Sequence, residues 1–171
     1  MIIDFSDILT KQKELDKNIF AKHNKTYHET FNERKLALLV ELGELSNEVR
    51  SFKYWSLKDR SEDEVVLEEY VDGIHFITSF CVHFGVQPIF TLKDNIPKLE
   101  KNAITIKFNK LFKTLCKFDI SNKYKDNVKL IKKFYKKFLI LGYGLGFNTE
   151  QILKAYDKKN TINHKRQENK Y

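Results

Sequence analysis

Along this chain apolar residues return every three to four positions rather than every second one, the spacing of amphipathic helices. Ile8, Leu15 and Ile19 mark the inner side of a first helix over Asp7–Lys22, followed by a loop at 23–27. A second helix is expected from Thr30 to Arg50, opened by a capping box in which Thr30 and Glu33 serve each other's backbone donors. Residues 52–60 form a connection. A second capping box, Ser61 to Glu64, starts a third helix that reaches Phe84, with Gly85 as its stop. Val86–Asn95 reads as a loop, and Pro97 suits the first turn of a fourth helix. Helices over 97–117 and 123–142 follow. Gly142, Gly144 and Gly146 then interrupt the chain before a last helix near Thr149, and the stretch after Asn160 is polar and aperiodic. No repeat, low-complexity segment or linker divides the chain. The expectation is one all-α domain, a helical bundle over residues 1–171.

Composition narrows the picture. No apolar run approaches the roughly 20 residues of a membrane span, and the opening MIIDFSDIL has neither a basic start nor a cleavage site of the secretory kind. Cys81 and Cys116 lack metal-type spacing and read as thiols of a reducing compartment, so a cytoplasmic location is the default. The net charge of +8 comes almost wholly from lysine, with only Arg34, Arg50, Arg60 and Arg166 beside it. Lysine pairs at 132–133, 136–137 and 158–159 could make an electropositive face, but the scarcity of base-reading arginine makes nucleic acid an unlikely partner.

The informative residues are acids placed where acids do not belong. At about 100° per residue, Glu44 and Glu48 fall within about 60° of Glu41, along one edge of the stripe formed by Leu38, Leu42, Leu45 and Val49. On the third helix Glu69 and Asp72 lie inside the apolar stripe, among Val65, Val66, Phe76, Ile77 and Phe80. Neighbouring buried carboxylates are costly and repel one another, so they remain ionised only beside strong positive charge. Arg34 is the one cation the spacing places near this face, too little for four acids. Hard divalent cations bind such oxygen donors, and Mg²⁺ is the common one. The pattern Glu41-x-x-Glu44 followed by Glu69-x-x-Asp72 on adjacent helices therefore points to a metal site in a bundle. Zinc and di-iron centres are disfavoured, since His75 and His83 lack partner spacing and Glu-x-x-His pairs are absent.

The segments Leu38–Glu48 and Glu68–Phe76 resemble the dimeric all-α dUTPases, part of the wider all-α nucleoside triphosphate pyrophosphohydrolase superfamily that includes the MazG-like enzymes. Gln12–Asp16 resembles that family's uracil-contacting motif. Ser51–Trp55 resembles the aromatic and basic connection after its first metal helix. Tyr156–Asn160 together with 162–167 and Tyr171 resembles its C-terminal phosphate-binding motif. Two departures stand out: Asp16 where some members carry Asn, and Lys170 where Gly is frequent. Residues 86–138 carry no motif and read as scaffold.

The resemblance implies hydrolysis of dUTP to dUMP and pyrophosphate, with water attacking the α-phosphorus. It implies Glu41, Glu44, Glu69 and Asp72 as ligands of Mg²⁺ (Mn²⁺ possible), with Glu41 orienting or deprotonating the water. Lys159, Asn160 and Arg166 would clamp the triphosphate together with Tyr156. Phe76 would pack on the deoxyribose, Gln12 and Asp16 would meet the uracil edge, and Trp55 would stack on the base. His75 and Glu48 are candidates for a supporting role. The resemblance also implies a homodimer. Alternatives are the same chemistry on another base, or a non-catalytic basic helical protein that binds nucleic acid or regulates.

Overall fold

In a computed structural model, which describes residues 1–168, the chain forms six helices and one two-stranded ribbon. Helix α1 spans Ser6–His23, α2 Phe31–Val49 and α3 Asp63–His83. Helices α4 (Lys101–Leu115), α5 (Tyr124–Leu145) and α6 (Thr149–Glu168) complete the bundle. The all-α expectation holds.

Helix α3 is the axis of the fold, packed against α1, α2, α5 and α6. The cause is its composition. Val66, Tyr70, Val71, Ile74, Ile77, Phe80 and Cys81 are all buried, so apolar side chains leave it on several sides. Leu38, Leu42 and Leu45 of α2 and Phe134, Phe138, Leu139 and Leu141 of α5 close over it. Strands β1 (Ile2–Asp4) and β2 (Ile89–Thr91) pair antiparallel, with Ile3 opposite Phe90 on the buried face. Three residues are too few to show a two-residue period against a helical background, so the ribbon was not legible in the pattern.

Several helix ends differ from the sequence expectations. Neither capping box forms. The Thr30 hydroxyl donates to Thr26 O (2.8 Å) and accepts from Arg34 Nε (3.2 Å), while Ser61 lies before the N-cap Glu62 and bonds to Glu48 instead. Helix α4 starts at Lys101 rather than Pro97, and the Leu99 N–H in the segment before it donates to Gly144 O of α5 (2.8 Å). Only Gly146, with φ of 105°, ends α5. Gly142 and Gly144 stay helical, and their lack of a side chain serves packing. A Cβ on Gly142 would stand 2.5 Å from the Tyr70 ring, and one on Gly144 would stand 2.3 Å from Leu99. Helix α6 continues past Asn160 to Glu168, since its polar inner side faces a polar cleft rather than the core. Among the described residues no helix is long and apolar enough to cross a membrane.

The tight seam between α3 and α5 generates a stability prediction. Gly142→Ala pushes on a fully buried ring that has no flexible end to yield, so it should lower unfolding free energy by about 1–3 kcal/mol. Urea denaturation followed by far-UV circular dichroism measures this. An unchanged midpoint would mean the α3–α5 contact is looser than described.

Candidate active site

Because α2 packs along α3, the edge of one helix meets the stripe of the other, and their acids converge. Oxygen atoms of Glu41, Glu69 and Asp72 all lie within 4.8 Å of one another, and each of the three side chains is half-buried. Glu44, one turn on from Glu41, is exposed at the rim, yet its charge acts on both Glu41 and Glu69. Burial, followed by the charges of Asp72, Glu44 and Glu69, pushes the Glu41 carboxyl up to about 8. Burial and neighbouring carboxylates raise Glu69 as well, and burial raises Asp72. The protein alone thus leaves this cluster short of positive charge. Three hard oxygen donors at this spacing fit a divalent cation.

The cations that do reach the acids come from α6. Lys159 Nζ lies 2.6 Å from Asp72 and 2.9 Å from Glu68, and the side chain is buried. Burial works against its ammonium, but the hydrogen bonds to Asp72 and Glu68 outweigh that and raise its pKa. The Arg166 charge acts on the same two carboxylates. Arg34 lines the same cleft as Glu41 and Asp72, as the spacing suggests, but its partners are other groups. Its guanidinium bonds Ser79 Oγ (3.3 Å), Tyr27 O (2.5 Å) and His83 Nδ1 (3.1 Å) and lies over the Phe80 ring. Glu68, one residue before Glu69, went unrecognised because an exposed acid at the start of a motif looks like ordinary surface.

A cleft of about 430 Å³ adjoins the cluster. Gln12 and Asp16 of α1, Glu41 of α2, Asp72 and Phe76 of α3 and Arg166 of α6 all line it. Away from the acids the cleft wall is a hydrogen-bonded network. Asp16 is buried, pushed up by desolvation, and accepts from Gln12 Nε2 (2.7 Å), Ser79 Oγ (2.7 Å) and Tyr27 OH (3.0 Å). An ionised carboxylate only accepts, so the amide nitrogen of Gln12 must face it. Gln12 Oε1 in turn accepts from Tyr156 OH (2.8 Å) and pairs with His75 Nδ1 (2.9 Å). His75 therefore carries its proton on Nδ1. Its Nε2 is buried with no hydrogen-bond partner among the described residues, and its ring stacks on Tyr156 with centroids 4.0 Å apart.

The structure thus gathers Gln12, Asp16, Glu41, Glu69, Asp72, Phe76, Tyr156, Lys159 and Arg166 around one region. Asn160 is half-buried on α6, its Oδ1 shielded without a hydrogen-bond partner among the described residues. Trp55 lies outside the cleft lining, 65% exposed on the α2–α3 connection against Phe52 and Tyr54. Lys170 and Tyr171 lie outside the described residues.

Acids on two packed helices, cations on a third and a cleft beside them define a helical protein in which carboxylates that could hold a metal ion lie next to cations that could meet an anion. A family model described as dUTPase matches residues 4–171. The chain belongs to the dUTPase family and is accordingly a dUTP diphosphatase, a hydrolase of nucleotide metabolism that converts dUTP to dUMP and pyrophosphate. No curated protein matches the chain. The family ordinarily needs a divalent metal, and the three clustered carboxylates offer a place for one.

The buried histidine gives the stability a definite pH dependence. Burial, with Lys159 and His164 nearby, holds His75 at about 3, against 6.5 for a free histidine. As pH falls below 6.5 the unfolded chain takes up this proton while the folded chain does not, so stability is lost on the way down toward 3. Because the raised carboxyls of Glu41, Glu69 and Asp72 gain stability over the same range, the His75 contribution is read by difference: from pH 7.5 to pH 4 the thermal unfolding midpoint of wild type should fall relative to that of His75→Gln. Parallel curves for the two proteins would show that His75 is not the neutral buried group described.

Proposed function

We propose that dUTP lies with its phosphates over Glu41, Glu44, Glu69 and Asp72 and its base against Gln12. The observation that carries this reading is the convergence of three carboxylates within 4.8 Å beside the cleft that Gln12, Phe76 and Arg166 line. Glu41, Glu44, Glu69 and Asp72 would hold the metal, which we take to be Mg²⁺, with Mn²⁺ able to replace it. The ion supplies Lewis-acid polarisation of phosphate oxygens and acidifies a bound water.

The remaining roles belong to the chain. Glu41, whose carboxyl is pushed up by burial and its acidic neighbours until a cation compensates them, would orient or deprotonate the water as its oxygen attacks the α-phosphorus. The α–β bridging oxygen leaves with pyrophosphate. Lys159, Asn160 and Arg166 of α6 would neutralise and orient the phosphates, Arg166 by its planar fork. Phe76, half-buried in the cleft, offers a flat apolar wall to the deoxyribose. Gln12 has one amide N–H left after bonding Asp16, and an N–H suits a uracil carbonyl where cytosine would present an amino group. Tyr156 and His75 hold that amide in place.

A homodimer accounts for the exposed apolar face. Leu36 (62% exposed), Val40 (47%) and Gly43 follow one another along the outer side of α2, and Tyr54, Trp55 and Leu57 on the connection after it are exposed as well. Exposed large apolar side chains grouped in this way suit an interface. Contact between Trp55 and a base would then be made across it. Val40→Glu should shift the protein from dimer to monomer in light scattering coupled to size exclusion. A monomeric wild type would remove the dimer from this reading.

The metal assignment has a test independent of turnover. With EDTA, Glu69→Gln should melt no lower than wild type, since one of several repelling charges is gone. Adding Mg²⁺ should raise the midpoint of wild type and not of the variant. Hydrolysis of dUTP by Glu69→Gln should drop by about 100-fold or more. Equal stabilisation of both proteins by Mg²⁺, or turnover that survives chelation, would refute the site.

A further inference from the structure

The charge of this molecule is not spread evenly. Residues 101–137, which contain α4 and the first part of α5, hold 12 lysines, no arginine and 2 carboxylates, Asp119 and Asp126, a net +10. Since the whole chain carries +8, everything outside that stretch sums to −2. A general lysine bias would not produce this, because elsewhere basic residues are matched by acids. Among the described residues no lysine between 101 and 137 lies within ion-pair distance of a carboxylate.

The fold brings these lysines onto one face. Lys125, Lys129, Lys132, Lys133 and Lys136 recur at helical spacing along α5. Lys107 of α4 and Lys136 of α5 border the same cavity, with Lys93 on its rim. Lys137 bonds Thr114 on α4 (3.0 Å) and feels the charges of Lys133, Lys110 and Lys117. Such crowding destabilises the folded chain by self-repulsion. None of these residues lines the dUTP cleft, which is built from α1, α2, α3 and α6.

We propose that the α4–α5 face is a docking surface for the phosphate backbone of duplex nucleic acid, without sequence preference. Lysine point charges suit phosphates, whereas the bidentate forks that read bases are missing. An anionic membrane fits less well, because the large apolar residues exposed on this stretch are only Ile106 and Tyr124, too few to insert. Placement therefore reverses what the total charge suggested about nucleic acid.

The test uses the full chain and a fluorescein-labelled DNA duplex of mixed sequence, read by anisotropy across a salt series. Wild type should bind with log affinity falling linearly in log salt. The variant K110Q/K133Q/K136Q should bind about tenfold or more weakly at low salt, with a salt slope shallower by about 3. The variant K13Q/K17Q/K22Q, altered on exposed lysines of α1, should keep wild-type affinity. Both variants should hydrolyse dUTP at the wild-type rate. The proposal is overturned if wild type shows no salt-dependent binding, if the two variants lose affinity equally, or if K110Q/K133Q/K136Q binds as wild type does. Co-sedimentation with phosphatidylglycerol vesicles in the absence of DNA binding would overturn it in favour of a membrane surface.

Discussion

Repulsion among Glu41, Glu44, Glu69 and Asp72 is the constraint around which the rest of the molecule is arranged. Packed carboxylates at the junction of two helices raise the energy of the folded chain: burial and then the neighbouring acids push Glu41 and Glu69 up, and burial pushes Asp72 up. Apolar burial along α3 holds the helices together in spite of it. Leu38, Leu42 and Leu45 lie one face round from the acids, so the contacts that stabilise the α2–α3 pair also set the spacing of the charges that oppose it. A rigid junction of this kind keeps oxygen donors in place before a cation arrives, which limits reorganisation when charge develops on phosphate.

Helix α6 supplies the counterweight. Lys159 is buried against Asp72 and Glu68, and the Arg166 charge acts on the same pair, so the helix is drawn to α3 by charge as well as by Ile152 and Tyr156. An ammonium half withdrawn from water is costly unless paired. The same group therefore fastens α6 and stands ready for an anionic ligand. Lys11 of α1 bonds Asp157 of α6 (2.7 Å) on the outside of this assembly.

Much of this was legible in the residues. The helices of the first half followed from their apolar periods, and the wheel placed Glu69 and Asp72 within a buried stripe before any coordinates. What escaped shares a physical cause. The last three turns of α6 looked aperiodic because a helix facing a polar cleft has no apolar stripe to show. Lys159 could not be placed opposite Asp72, and Arg34 stood as the one cation in view, because spacing along one helix says nothing about which other helix closes over it. Thr30 and Ser61 had the residue types of capping boxes, yet Arg34 and Glu48 offered their hydroxyls competing partners. Gly142 and Gly144 read as breaks because the large residues that need the room, Tyr70 and Leu99, are distant in sequence.

The two ends of the cleft differ in charge, and this matches the ligand. Toward α6 lie the clustered carboxyl groups and the cations Lys159 and Arg166. Toward α1 the wall is a chain of neutral donors and acceptors, Tyr156, His75 and Gln12, ending on Asp16. That end stays neutral because burial keeps His75 unprotonated far below physiological pH, and because the charge of Asp16 is taken up by three hydrogen bonds and by the nearby Arg34. A protonated His75 would have to donate from both nitrogens, and the buried Nε2 has no acceptor among the described residues to receive it. The low pKa leaves His75 one ring proton, Asp16 turns the Gln12 amide nitrogen toward itself, and the Gln12 oxygen then takes that proton at Nδ1. A charged triphosphate and an uncharged base need opposite surroundings within one ligand's length, and on the proposed placement of dUTP the α6 side of α3 would meet the first and the α1 side the second.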